Sequence, residues 1–144
     1  MAEITRKEFL LRLINAGEHP RLGGIDLSGL DLSGVELRGA WLCQADLSGA
    51  NLSGANLGMA DLRLANLSMV DLRGATLREA DLTGANLRGA KLNFADLIEA
   101  DLTSASLAKA DLREANLDGA VLKNTNLTGA KLKGAVMPDG KKHE

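Results

Sequence analysis

A chain of 144 residues suffices for one domain, and 45% of it is hydrophobic, yet its only aromatic residues are Phe9, Trp41 and Phe94. Ordinary globular cores draw much of their buried area from aromatic rings, so this core must be assembled from Leu and Ala, a skew that signals a repeat. A net charge of −2, from 17 basic and 19 acidic residues, excludes a polycation and a strongly acidic surface, and the single cysteine, Cys43, excludes an intrachain disulfide.

The N-terminal segment, residues 1–19, reads as a capping helix and linker. Glu3, Arg6, Lys7, Glu8 and Arg12 break up any apolar run of the signal-peptide kind. No stretch of the chain approaches the length of a membrane span, so a cytoplasmic setting without membrane association is expected. Thr5 and Glu8 stand at the spacing of a capping box, and Ile4 and Phe9 at that of a hydrophobic staple. Phe9, Leu10, Leu13 and Ile14 then make an apolar stripe at helical spacing, and Gly17 is a stop signal. The pattern predicts a short amphipathic helix over 5–16. It has two readings, a cap on the remainder of the chain or a docking helix for a partner or membrane surface. The open end of a repeat stack needs a plug, which favours the cap.

From residue 22 a Leu falls at every fifth position, Leu22, Leu27, Leu32 and onward without a gap to Leu132, and Met137 takes the next slot. Two residues before each Leu is a small or apolar residue, such as Ala40, Ala45 and Ala50, with Ile25, Leu30, Val35, Val70 and Thr125 as variants. The residue immediately before the Leu is usually Asp or Asn, as at Asp46, Asn51, Asn56 and Asp61. A helix would scatter leucines five apart around its surface, and a flat strand would alternate them between two faces. The spacing works if the chain turns a corner of the same sense every five residues, so that each Leu and the Ala before it point inward. Gly at the last place of many repeats, as at Gly29, Gly34 and Gly39, suits such corners. Four sides would close a coil of about 20 residues, stacked at roughly the 4.8 Å strand spacing. One leucine per five residues cannot by itself offset the backbone entropy, at roughly 1–2 kcal/mol per residue, so a lone coil would not fold and neighbours are required.

This tandem A-(D/N)-L-x-x motif, over residues 20–137, resembles the pentapeptide-repeat family. The resemblance implies an all-β fold, a right-handed quadrilateral parallel β-helix of about six coils, here with the N-terminal helix as its cap.

The C-terminal segment, residues 138–144, reads as a charged tail. Leu122, Leu127, Leu132 and Met137 belong to the last coil, and no helix comes after them to cover them. Either Pro138 and the charges blunt this edge, or the end is left for a second copy in a two-fold dimer. The resemblance tips the balance towards the homodimer, since many members of the family dimerise through this end.

No catalytic constellation is visible. His19 and His143 lie near the chain ends, Cys43 has no neighbouring base in sequence, and no phosphate loop, dinucleotide fingerprint or zinc spacing is present. The chain is expected to be no enzyme and to need no cofactor or metal. Asp61, Asp81 and Asp101, spaced by one coil, would stack as a column of oxygen ligands. Asp and Asn alternate freely in that slot, so bonding of the local backbone at a turn is the favoured reading.

Candidate partner-binding residues sit in outward slots. Glu79, Glu99, Asp81 and Asp101 should share one corner as a modest acidic patch. Phe94 and Ile98 lie near the next corner back, and Leu64 closes a repeat on the same side as Trp41. Trp41 replaces the usual Asp or Asn. It is read either as a binding hot spot or as a ring packed under the N-terminal helix, the second being favoured. The function expected is a non-enzymatic protein-binding module or scaffold for an unidentified protein partner, with direct nucleic-acid binding not expected. The resemblance offers an alternative, a DNA mimic acting on DNA gyrase, as fluoroquinolone-resistance members of the family do. This chain departs from that pattern in its mild charge, its shorter rod and its uninterrupted repeats.

Overall fold

The computed structural model describes residues 4–144, with the side chains of Ile14 and Asn15 outside the described set. Helix α1 spans Arg6–Ala16. The Thr5 hydroxyl accepts the Glu8 amide at 3.2 Å, and Glu8 Oε2 accepts the Thr5 amide at 2.7 Å, which closes the capping box. Phe9 is wholly buried and joins the core of the repeat region, with Ile4, Leu10 and Leu13 packed partly against it. The predicted contribution of Ile14 to this stripe falls outside the described side chains.

From Pro20 the chain winds into coils whose successive turns pair in parallel, Arg21 with Trp41, Trp41 with Asp61, Asp61 with Asp81 and so on. Each face contributes a single bridged residue, so the coil is a sequence of corners and very short sides rather than of long strands. Three bonds tie each side to its neighbour coil: the Leu42 amide reaches the Asp61 carbonyl at 2.7 Å, the Gln44 amide the Arg63 carbonyl at 2.9 Å, and the Asp61 amide the Ala40 carbonyl at 2.9 Å. A fourth closes the corner, from the Ala45 amide to the Leu42 carbonyl at 3.0 Å. Of the two central residues only the second, Gln44, has positive φ, at 60°, which is the type II pattern. Four such corners per coil give a four-sided rod. Its interior is Leu on Leu and Ala on Ala, nearly all without solvent exposure.

The corners differ from the expectation that glycine makes them. Gln44, Met59, Leu64, Met69, Glu79, Phe94, Glu99, Ser104, Lys109, Glu114 and Asn124 all hold positive φ there. The intercoil bonds on both sides of the corner over-determine its backbone, so the left-handed conformation persists even with a Cβ. Large corner side chains lean along the rod onto a glycine one coil later. A Cβ on Gly84 would meet Leu64 Cδ2 at 2.7 Å, and one on Gly89 would meet Met69 Sδ at 2.5 Å.

The Asp/Asn slot works as its chemistry suggests. Asp46 Oδ1 accepts the Ser48 amide at 3.0 Å and the Ser48 hydroxyl at 2.6 Å, and the same local bond recurs at Asn51, Asn56, Asp61, Asn66 and Asp71.

The C-terminal segment is more than a blunting tail. Its backbone turns back at Gly140 and runs antiparallel to the last repeat, with Lys142 opposite Val136. The Met137 amide reaches the Lys141 carbonyl at 2.8 Å, His143 the Ala135 carbonyl at 2.7 Å, and Gly134 the His143 carbonyl at 2.8 Å.

Candidate functional site

The titratable side chains do not assemble a reaction centre. Cys43 is a part-buried free thiol, the His19 ring lies against Gly39, and His143 serves the tail pairing through its backbone. Among the described residues no three His, Cys, Asp or Glu side chains converge as a cation site. The column of Asp61, Asp81 and Asp101 forms in register, but its oxygens are engaged locally. Asp61 is clamped by Arg63 at 2.7 and 2.8 Å, Asp81 accepts the Thr83 amide at 3.0 Å, and Asp101 accepts the Thr103 hydroxyl at 2.6 Å. The Arg63 guanidinium holds the Asp61 carboxyl below its ordinary range, and the Thr103 hydroxyl, then its amide, does the same for Asp101.

Three carboxylates on the rod are neutralised within their own repeats. In the pattern D-L-R the arginine folds back onto the aspartate two residues earlier, as in Arg73 with Asp71 at 2.6 Å and in Arg113 with Asp111. The acidic corner is less compensated. Glu79 and Glu99 are exposed in consecutive coils, Asp81 and Asp101 pair just round the corner, and Arg63 approaches Asp81 at 3.8 Å. Register thus brings these four carboxylates together as the spacing requires.

The apolar candidates do not form one patch. Met59, Leu64 and Met69 occupy successive corners and so point in different directions round the rod. Phe94, 70% exposed, is near Arg73, Arg113, Glu114 and Lys133 in an open depression of about 530 Å³. Ile98 on the next side is partly covered.

Trp41 does not pack under α1; it is 51% exposed. An indole is too bulky for the Asp/Asn slot, which faces outward, so the ring lies on the surface with the Arg21 guanidinium 4.6 Å over its centroid. Arg38, His19, Gly39 and Met59 complete a pocket of about 200 Å³ beside it, which Leu64 does not line.

The two ends of the rod differ. At the first coil Arg6 reaches down from α1 and donates to the carbonyls of Asp31 and Ser33, the latter at 3.3 Å. At the last coil Leu122, Leu127, Leu132 and Met137 are only partly buried and Val121 is 45% exposed. The amides of Leu122, Asn124, Leu127, Gly129 and Leu132, whose counterparts all bond the next coil, find no protein acceptor among the described residues.

A family model described as pentapeptide repeats (8 copies) matches the chain over residues 18–49, 31–68, 65–103 and 100–137. The chain belongs to the pentapeptide-repeat family. Among solved structures, a pentapeptide-repeat protein of Nostoc PCC 7120 is 40% identical over 74% of this chain and 84% of its own, with a TM-score of 0.63. QnrB1, a plasmid-mediated fluoroquinolone resistance protein, is 28% identical over 78% of this chain, also with a TM-score of 0.63. This chain spans 59% of the QnrB1 chain. No curated protein sequence matches. Solved pentapeptide-repeat proteins are right-handed β-helices, and the family consists generally of non-enzymatic structural or binding modules. No helix among the described residues is long and apolar enough to cross a membrane.

Sequence reasoning missed three features of this pentapeptide-repeat rod. Arg21 over Trp41 was findable, because the two occupy the same slot one coil apart. Arg38 beside Met59, with Nη2 at 3.1 Å from Sδ, joins adjacent coils and was equally open to the register. The tail pairing carries no such signal, since His143 and Lys141 contribute backbone groups rather than side chains.

Proposed function

We propose that this pentapeptide-repeat protein is a non-enzymatic binding scaffold, joined end to end with a second copy through its last coil. The observation that carries the reading is the open edge itself. Among the described residues, five amides without acceptors and four half-covered apolar side chains gather on the last coil, where the matching amides of inner coils bond a neighbour. Among the described residues, residue 121 is flanked by a carbonyl at Ala120 and an amide at Leu122 that find no partner, and residue 126 likewise by Thr125 and Leu127. Two copies related by a two-fold axis present that pattern in opposite directions, so each carbonyl meets an amide and the edge is complementary to itself. The chain's own tail supports this, because it closes the fourth side with the same antiparallel pair of bonds. A dimer of this kind would display the outward residues of two rods to a protein partner. Light scattering on the wild-type chain and on Leu127→Lys tests the assembly: twice the chain mass is expected for the first and the single mass for the second.

A second reading is supported by the likeness to QnrB1 and by the acidic corner of Glu79, Asp81, Glu99 and Asp101. In it the rod acts on DNA gyrase as a duplex mimic. A supercoiling assay over a concentration series tests this, with inhibition at low protein concentration that disappears in Glu79→Lys with Glu99→Lys as the supporting result. An unaffected gyrase at high concentration removes the reading and leaves the scaffold.

A further inference from the structure

Most arginines on this rod are committed to a carboxylate: Arg6, Arg63, Arg73, Arg78 and Arg113 each lie against an aspartate. Arg12, Arg21, Arg38 and Arg88 have no acidic side chain within ion-pair reach among the described residues. Of these, Arg21 covers the Trp41 ring and Arg38 touches the sulfur of Met59. Arg38 lines a pocket with Trp41 and Met59, each 51% exposed, and His19, while Arg21 reaches it only through the Trp41 ring that it covers. Two guanidinium groups held by apolar contacts rather than by carboxylates keep their hydrogen-bonding forks available.

Trp41 also breaks the local rule of the fold. At Asp46, Asn51, Asn56 and Asp61 the slot before Leu supplies an oxygen to the amide two residues on. Trp41 cannot, and the Cys43 amide is left without a protein acceptor among the described residues. The slot lacks this bond also at Arg21, Thr76, Lys91, Ser106, Val121 and Lys131, so what sets Trp41 apart is a large ring left half exposed on the surface.

We propose that Trp41, Met59, Arg21 and Arg38 form a docking site for an extended acidic segment of a partner protein, one that carries an apolar or aromatic side chain between carboxylates. The apolar group would lie on Trp41 and Met59, and the carboxylates would take the two guanidinium groups. A nucleic-acid strand fits less well. It needs a run of cations along its phosphates, whereas this site offers one short pair of arginines. This site rests on the scaffold reading and names the chemistry of its partner.

Trp41 is the only tryptophan and there is no tyrosine, so emission excited at the red edge reports from this site alone. The probe is acetyl-Asp-Glu-Phe-Asp-Glu-amide, with its all-lysine counterpart and a short oligothymidylate as comparisons. The expected result is a saturable change in emission with the acidic peptide, weakened about tenfold or more by Arg21→Glu with Arg38→Glu and by added salt. Trp41→Asp, monitored by calorimetry, should lose the peptide while unfolding no earlier than wild type, because it restores the turn bond to Cys43. Any one of three results overturns the site: no saturable change at millimolar peptide, equal affinity in the double variant, or tighter binding of the oligothymidylate. An early-melting Trp41→Asp would mean that the ring is structural, which also overturns it. If immobilised wild-type and Trp41→Asp chains retain the same partner from an extract, this site falls while the scaffold reading stands.

Discussion

The two ends of this rod face the same physical problem and treat it differently. A stack of coils exposes backbone groups and the apolar interior at both ends. At the N-terminal end α1 covers the interior with Phe9, and Arg6 satisfies two of the outward carbonyls of face 30–34. At the C-terminal end the tail bonds Gly134, Ala135 and Met137, and the amides of Leu122, Asn124, Leu127, Gly129 and Leu132 find no acceptor among the described residues, above half-covered leucines. Unpaired amides occur at both ends among the described residues, at Asp26, Asp31 and Glu36 as well as in the last coil, so the ends differ chiefly in the apolar cover that α1 supplies to one of them.

The largest expected effect breaks the sealed end. Phe9→Ala should lower the unfolding free energy by about 3–5 kcal/mol in urea denaturation, because the ring is wholly buried and nothing can refill its place. Leu127→Lys should act differently. Its side chain is only partly covered in one chain, so the single chain loses about 1–2 kcal/mol, while the concentration dependence of the melting temperature disappears. Equal losses in the two variants would abolish the contrast between the ends. Arg6→Ala should cost about 1 kcal/mol, since its guanidinium is partly solvated but its two carbonyl partners then lose their donor.

The smallest effect is on pH. Side-chain hydrogen bonds from Arg63, Arg73 and Arg113 hold Asp61, Asp71 and Asp111 below the ordinary value of 3.8. A carboxyl whose folded pKa is depressed releases its proton more readily in the folded state. Its stabilisation is complete above the ordinary value and is lost as pH falls through the folded one. Thermal unfolding should thus be flat from neutrality to about pH 5 and decline below pH 4. Arg73→Gln should make that decline shallower. The arginines are half exposed, which keeps the effect modest.

Much of this was legible in the sequence because a single period governs most of the chain. The step from Leu22 to Leu132 dictated corners, an inward Leu and Ala, and a one-coil register that placed Glu79 beside Glu99. The capping box at Thr5 and Glu8 was local and equally readable. What escaped was some side-chain contacts between coils and whatever depends on backbone alone. Packing of Trp41 under α1 was the favoured of two readings for its outward slot, but the ring lies on the surface with Arg21 over it. Corners such as Phe94 and Lys109 hold positive φ because intercoil bonds impose it, which residue preference would not suggest. The role of Arg6 depends on where α1 comes to rest, and the folded tail on free amides that no residue type announces.

The most direct test is amide hydrogen exchange at Leu122, Asn124, Leu127, Gly129 and Leu132, read by NMR at high and low protein concentration. An end that receives a second copy predicts protection of these amides at high concentration, lost on dilution and in Leu127→Lys, while Leu42, Leu62 and Leu82 stay protected throughout. Rapid exchange of all five at every concentration, with the same protection inside the rod, would contradict it.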